Sequence, residues 1–175
     1  MRIRSGLPGA LLVLALVLSG CGGNDSAGAT KATPSASAGG KSEGACTLLT
    51  PAELEAKFGT AFGDGVPTHQ ETGADLCVWT STNASPAKTF SITVLRQDSL
   101  GGALKSSGQT VAQLFEQTKA AYPKSVSVNL GDQAYASPSE VQVLDGDTWY
   151  SFSAFLGTGS GAIDILKDLA ARVVG

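Results

Sequence analysis

Histidine and methionine each occur once in these 175 residues, tryptophan twice and cysteine three times, and charged residues make up only 15% of the chain. Each scarcity narrows the chemistry. The single histidine, His69, offers no cluster for zinc, so a metal site would have to be built almost wholly from carboxylates; no metal and no cofactor is expected. Any Ser/His/Asp arrangement would need the same residue, yet no GxSxG elbow is present: "GTGSGA" puts a single glycine on either side of Ser160. His69 lies in the polar segment "GDGVPTHQETG" and is read as a solvent-exposed loop residue. Basic charge is also scarce in the part that can fold. Arg2, Arg4, Lys31 and Lys41 precede Cys46, leaving 8 basic against 13 acidic residues from there on, a net of −5. Such a chain has no counterion-release drive toward nucleic acid and no polybasic surface for anionic lipid.

Hydrophobic length is limited as well. Leu7 to Leu18 is an apolar stretch of twelve residues, interrupted by Pro8 and Gly9, against the roughly 20 that a permanent membrane helix needs. With Arg2 and Arg4 ahead of it, residues 1–20 have the layout of a secretory signal. The "LSGC" that closes it (Leu18, Ser19, Gly20, Cys21) resembles the bacterial lipobox. Small side chains there admit the backbone to a membrane-embedded peptidase, and the cysteine sulfur accepts a diacylglyceryl group. Cleavage would leave Cys21 as a lipidated N-terminus on the extracytoplasmic face of the cell membrane. Each buried methylene contributes about 0.8 kcal/mol, so two or more acyl chains anchor stably where one does not.

Residues 21–45 follow as a tether. Gly22 to Ala45 holds no aromatic and no large aliphatic residue, only Gly, Ala, Ser, Thr and a few others, and cannot bury enough apolar surface to offset chain entropy. As flexible coil its 24 residues span on the order of 25–30 Å.

Residues 46–175 are expected to form one domain. In "CTLLTPAELEAKFG", Thr50 is an N-cap, Pro51 suits the first helical position, Glu53 closes a capping box, Leu49 and Leu54 form a staple, and Gly59 stops the helix. "LCVWTS" and "TFSITVLR" read as a hairpin, with Phe90, Ile92 and Val94 alternating with Ser91 and Thr93. "TVAQLFEQTKAAYP" opens with a Thr110 to Gln113 capping box and puts Val111, Leu114, Phe115 and Tyr122 near one stripe. "SVSVNLGDQAYAS" contributes further strand, and "EVQVLDGDTWYSFSAFL" a hairpin turning at Asp145-Gly146. "AIDILKDLAARVV" is a last helix with Ile163, Leu166, Ala170 and Val173 on one stripe and an Asp168–Arg172 pair. Hairpins dominate, so the expected class is α+β: an antiparallel sheet with about three helices on one face.

With Cys21 committed to lipid, Cys46 and Cys77 remain as an even pair in an oxidising compartment and should form a disulfide. They lie 31 residues apart, unlike the close spacing of a redox pair. "CTLLTPAEL", "CVW" and "LGDQAY", behind a lipobox and a Gly/Ala/Ser tether, resemble the short actinobacterial lipoproteins of domain-of-unknown-function family 3558. That resemblance implies an envelope lipoprotein with a compact α+β domain and carries no catalytic residue over. A remoter likeness is to extracytoplasmic sensor domains of actinobacterial kinases.

The remaining motifs have plainer readings. Gly157, Gly159 and Gly161 give GxGxG rather than GxGxxG, with no following strand or ribose-binding acid, so a turn into the last helix is expected there. "DGD" at Asp145 to Asp147 lacks a calcium loop's ligand series. In "LGDQAY", Gly131 supplies a positive φ and Asp132 caps the turn. Trp79, on the face of Cys77, belongs in the core against the disulfide. Trp149 differs: the hairpin pattern sets it beside Gln142 on a face with Ser151 and Ser153, so Trp149 and Gln142 are candidate contacts for a ligand or partner. The expected function is that of a non-enzymatic, membrane-anchored lipoprotein whose domain binds an envelope protein or a small ligand. The alternatives are a carboxylate-dependent envelope hydrolase and an accessory subunit of a transport or wall-assembly complex.

Overall fold

The computed structural model describes residues 43–156 and 162–175. Local sequence chemistry sets the helix starts. A one-turn helix α1 (Glu43–Cys46) leads into α2 (Pro51–Phe58), where the Thr50 hydroxyl accepts from the Glu53 N–H at 3.3 Å and the Glu53 carboxylate accepts from the Thr50 N–H at 2.8 Å. That backbone N–H, with help from the Thr50 hydroxyl, holds the Glu53 carboxyl below its ordinary range. The same reciprocal box, Thr110 with Gln113, opens the helix at Val111–Ala120.

Seven strands form one antiparallel sheet: β1 (Val66–His69), β2 (Asp75–Thr80), β3 (Thr89–Arg96), β4 (Val126–Val128), β5 (Gln133–Ser137), β6 (Glu140–Asp145) and β7 (Thr148–Phe155). The spatial order is β1-β2-β3-β7-β6-β5-β4. Two meanders therefore meet where β3 pairs with β7, with Thr93 opposite Ser151 and Leu95 opposite Trp149. Between the meanders run α3 (Gly102–Ser106) and α4 (Val111–Ala120), and α5 (Ala162–Val174) closes the described chain.

The sheet is covered on both faces, and the described residues form five helices rather than about three on one side. On the first face Trp79, Phe90, Ile92, Val94, Val141, Val143 and Phe152 pack with Leu54 and Phe58 of α2 and Leu166, Leu169 and Ala170 of α5. On the second, Leu95, Tyr135, Leu144 and Trp149 pack with Val111 and Phe115 of α4 and with Leu104 of α3. Val94 and Leu95 are adjacent on one strand and both buried, which a single covered face cannot accommodate. Fully burying an aromatic such as Phe115 contributes about 1.5–3 kcal/mol, so this smaller cluster is enough to hold α4 down.

Cys46 and Cys77 are joined by a disulfide with Cα atoms 5.1 Å apart, and Trp79, 1% exposed, lies in the same core with its ring 5.6 Å from that of Phe90. Other expectations shift. The β6–β7 loop is Gly146-Asp147, not Asp145-Gly146, because Asp145 pairs with Thr148; the register moves by two residues, which leaves every side chain on its expected face. Asp168 and Arg172 do not pair with each other. Asp168 meets Lys57 at 2.9 Å and Arg172 meets Glu53 at 3.4 Å, so both of these charges reach across to α2. Ile163 and Val173 are half-buried, while Ala162 and Leu169 take the deeper places. Tyr122 lies beyond the end of α4 and is 37% exposed.

Candidate functional site

The second sheet face is only partly roofed, and a cavity of about 320 Å³ opens between it and α3 and α4. Its floor is sheet: Leu95 and Thr93 of β3, Trp149 and Ser151 of β7. Leu104 of α3 and Leu114 of α4 form the roof. The outer rim is the β1–β2 turn, carrying Gln70, Thr72 and Ala74. That turn is closed by Gln70 N–H to the Ala74 carbonyl at 2.8 Å and tied to the segment ahead of α3 by Gly101 N–H to the Thr72 carbonyl at 2.8 Å. Gly73 is required here. Its φ is 88°, and a side chain would run into the carbonyl of Ser99. Gln97 supports the roof from below by accepting the Val111 N–H at the start of α4, at 2.8 Å.

Trp149 and Gln142 stand where the strand pattern placed them. Trp149 is half-buried, with its ring edge-on to Phe115 at 6.1 Å, and its indole N–H donates to the Gln142 side-chain oxygen at 2.7 Å. Gln142, 4% exposed, donates in turn to the Ser151 hydroxyl at 2.9 Å and to the Glu140 carboxylate at 3.3 Å. Gln142 is therefore a buried polar link behind the cavity wall rather than part of the lining, and Ser151 is the member of the chain that reaches the cavity. Deeper under α4, Tyr135 is 1% exposed and its hydroxyl has no hydrogen-bond partner. Burial first, and then the nearby Tyr122, Glu140 and Glu116, push its phenol up to about 12.

The other candidates are dispersed. His69 is not in a loop but on edge strand β1, where its Nδ1 lies 2.8 Å from Asp75; Asp75 is 8% exposed and also accepts from Arg96 at 3.4 Å. This trio sits on the first sheet face, away from the cavity. Gly131 has φ 52°, and the carbonyl of Leu144 leaves no room for a side chain there. Asp132 caps a turn, though the next hairpin's: its carboxylate accepts the Gly146 N–H at 2.8 Å. Asp98 and Asp147 share a shallow depression with Arg96, both of them exposed. Residues 1–42, with Cys21, the signal segment and all but the last three tether positions, and residues 157–161, with Gly157, Gly159, Ser160 and Gly161, lie outside the described residues. Among the described residues, no three His, Cys, Asp or Glu side chains are grouped so as to hold a metal ion, and no helix is long and apolar enough to cross a membrane.

Sequence reasoning did not find Leu104, Leu114 as a cavity wall, or the Gln70–Ala74 rim. Leu104 lies in a five-residue helix too short to show a period, and the rim is built from a turn whose residues carry no pattern of their own. No family model matches the chain, and neither a curated protein nor a solved structure does.

Proposed function

We propose that this is a lipid-anchored, extracytoplasmic binding protein without enzymatic activity, whose domain takes a small ligand in the cavity beside Trp149. The observation that carries the reading is the cavity itself: about 320 Å³, walled by Trp149, Leu95, Leu104 and Leu114, with a few neutral polar groups at its edge. Small-molecule sites have that size and that mixture, a mainly apolar lining with a small number of orienting groups. The address rests on the lipobox ending at Cys21, as in the lipoprotein family that the motifs resemble. The test uses the full chain with Cys21→Ser, so that no acyl chain competes for the site. Only two indole N–H signals exist, those of Trp79 and Trp149. Titration with an uncharged bicyclic probe should move the Trp149 signal and leave that of Trp79, and a still Trp149 signal up to the probe's solubility would sink the binding reading. Cys21→Ser should also leave the membrane fraction; if it stays there, the anchor is elsewhere.

One observation keeps a hydrolase in second place, the shared depression of Asp98 and Asp147. Both carboxylates face water, whereas acid–base pairs are usually tuned by partial burial. Ester or glycoside hydrolysis that Asp98→Asn and Asp147→Asn each abolish would raise it to first.

A further inference from the structure

We infer that the ligand is uncharged and carries a hydrogen-bond acceptor, to which the hydroxyl of Ser151 donates. The inference rests on the binding reading above and names what that cavity selects.

Its first ground is charge. Among the described residues no ionisable side chain lines the cavity; its polar edge is Gln70, Thr72, Thr93 and Ser151. An ion entering would give up hydration with no countercharge to replace it. An anion would fare worse, because Glu140 stands beside Gln142 on β6, its carboxylate 3.3 Å from the Gln142 side-chain nitrogen.

The second ground is the direction of the hydrogen bonds. An indole N–H can only donate, so the group of Gln142 that faces Trp149 at 2.7 Å must be its oxygen. The Gln142 nitrogen is thereby turned toward Glu140 and Ser151, and a carboxylate can only accept. Both amide protons are then spent, one on Glu140 and one on Ser151, and the Ser151 oxygen is an acceptor in that bond at 2.9 Å. Its own proton is left over, and no acceptor among the described residues takes it. Since Gln142 is 4% exposed, water cannot easily reshuffle the chain. Ser151 therefore presents a donor to the cavity it lines, and Thr93, its partner across the β3–β7 ladder, brings a second hydroxyl to the same wall. A ketone, ester or ether oxygen on an apolar body matches this arrangement; a pure hydrocarbon leaves the donor unmet, and a carboxylate brings the uncompensated charge.

Three probes of one shape separate these cases: 2-acetylnaphthalene, 2-ethylnaphthalene and 2-naphthoate, each titrated into full-chain Cys21→Ser while the Trp149 indole signal is followed. The ketone should bind about 5–10-fold more tightly than the ethyl compound, the gain of one neutral hydrogen bond in a sheltered site, and the naphthoate most weakly. Adding Ser151→Ala should bring ketone and ethyl compound to within about twofold of each other. Thr93→Val should reduce the preference less, and an unmoved ligand-free Trp149 signal reports that each variant has kept the wall in place. Equal binding of ketone and ethyl compound, an undiminished preference in Ser151→Ala, or naphthoate binding as tightly as the ketone would each overturn the inference while leaving a binding cavity. Silence from all three probes would remove the binding reading, and this one with it.

Discussion

Trp149 and Gln142 are not direct partners across the β6–β7 ladder; Trp149 lies opposite Leu144 and Gln142 opposite Ser151, and the indole N–H reaches the glutamine diagonally at 2.7 Å. The contact fixes the tryptophan ring in the cavity wall. Gln142→Leu keeps roughly the same volume but strands the indole N–H in a nearly dry position. A cost of about 1–3 kcal/mol is expected in urea denaturation, with a displaced Trp149 indole signal in the folded protein. An unchanged midpoint would mean that water satisfies the indole.

Tyr135 gives the domain an alkaline limit. Its phenol is pushed up to about 12 in the folded protein against an ordinary 10, so the unfolded chain ionises first as pH rises. The corresponding stability is intact below pH 10 and is lost between pH 10 and about 12, by no more than about 2–3 kcal/mol. In Tyr122→Phe/Tyr150→Phe, which leaves Tyr135 as the only phenol, the ultraviolet phenolate transition should stay above 10 but centre below 12, because burial remains and the contribution of Tyr122 is gone. Tyr135→Phe should remove this loss without destabilising the protein at neutral pH, because the hydroxyl it deletes has no partner.

The Cys46–Cys77 bond closes a loop of chain with a sequence separation of 31. On the chain-entropy account it contributes about 3–4 kcal/mol, so Cys46→Ser/Cys77→Ser should melt well below the parent, and added reductant should lower the parent toward the variant. Equal melting with and without reductant would show the bond to be absent in solution.

Gly73→Ala tests whether the rim shapes the site. With φ at 88° and the Ser99 carbonyl in the way, the turn must shift. A loss of about 1–3 kcal/mol is expected together with weaker probe binding, whereas Gly108→Ala, also at positive φ but in open space, should cost stability without touching the cavity.

What the sequence disclosed was local or periodic. Both capping boxes, Thr50 with Glu53 and Thr110 with Gln113, are short-range chemistry and occur where the residues require them. The alternation of Phe90, Ile92 and Val94 with Ser91 and Thr93 sorts β3 into two faces, and Trp149 keeps its face through a two-residue register change because strand parity is conserved. What escaped depends on tertiary placement. β1 is exposed along its whole length and has no alternation to detect. On the sheet, the second helical layer is announced by Leu95, Tyr135, Leu144 and Trp149, on a face otherwise polar enough to be read as open. Asp168 and Arg172 have the spacing of a helical pair, but docking against α2 brings Lys57 and Glu53 within reach. The cavity belongs to this second category, since Leu104, Leu114 and the Gln70–Ala74 turn become neighbours only when α3 and α4 fold back over β3 and β7.

The disulfide also determines how the domain bears tension. The described chain begins with α1, whose last residue is Cys46, and the bond passes from there to Cys77 in the middle of β2, a strand held by β1 on one side and β3 on the other. A pull from the N-terminal side is thus handed to a strand that must be sheared out of two ladders at once, instead of unpeeling α2 turn by turn. With the bond intact, stretching from that end should show one high-force rupture; with it reduced, an earlier and softer extension should come first.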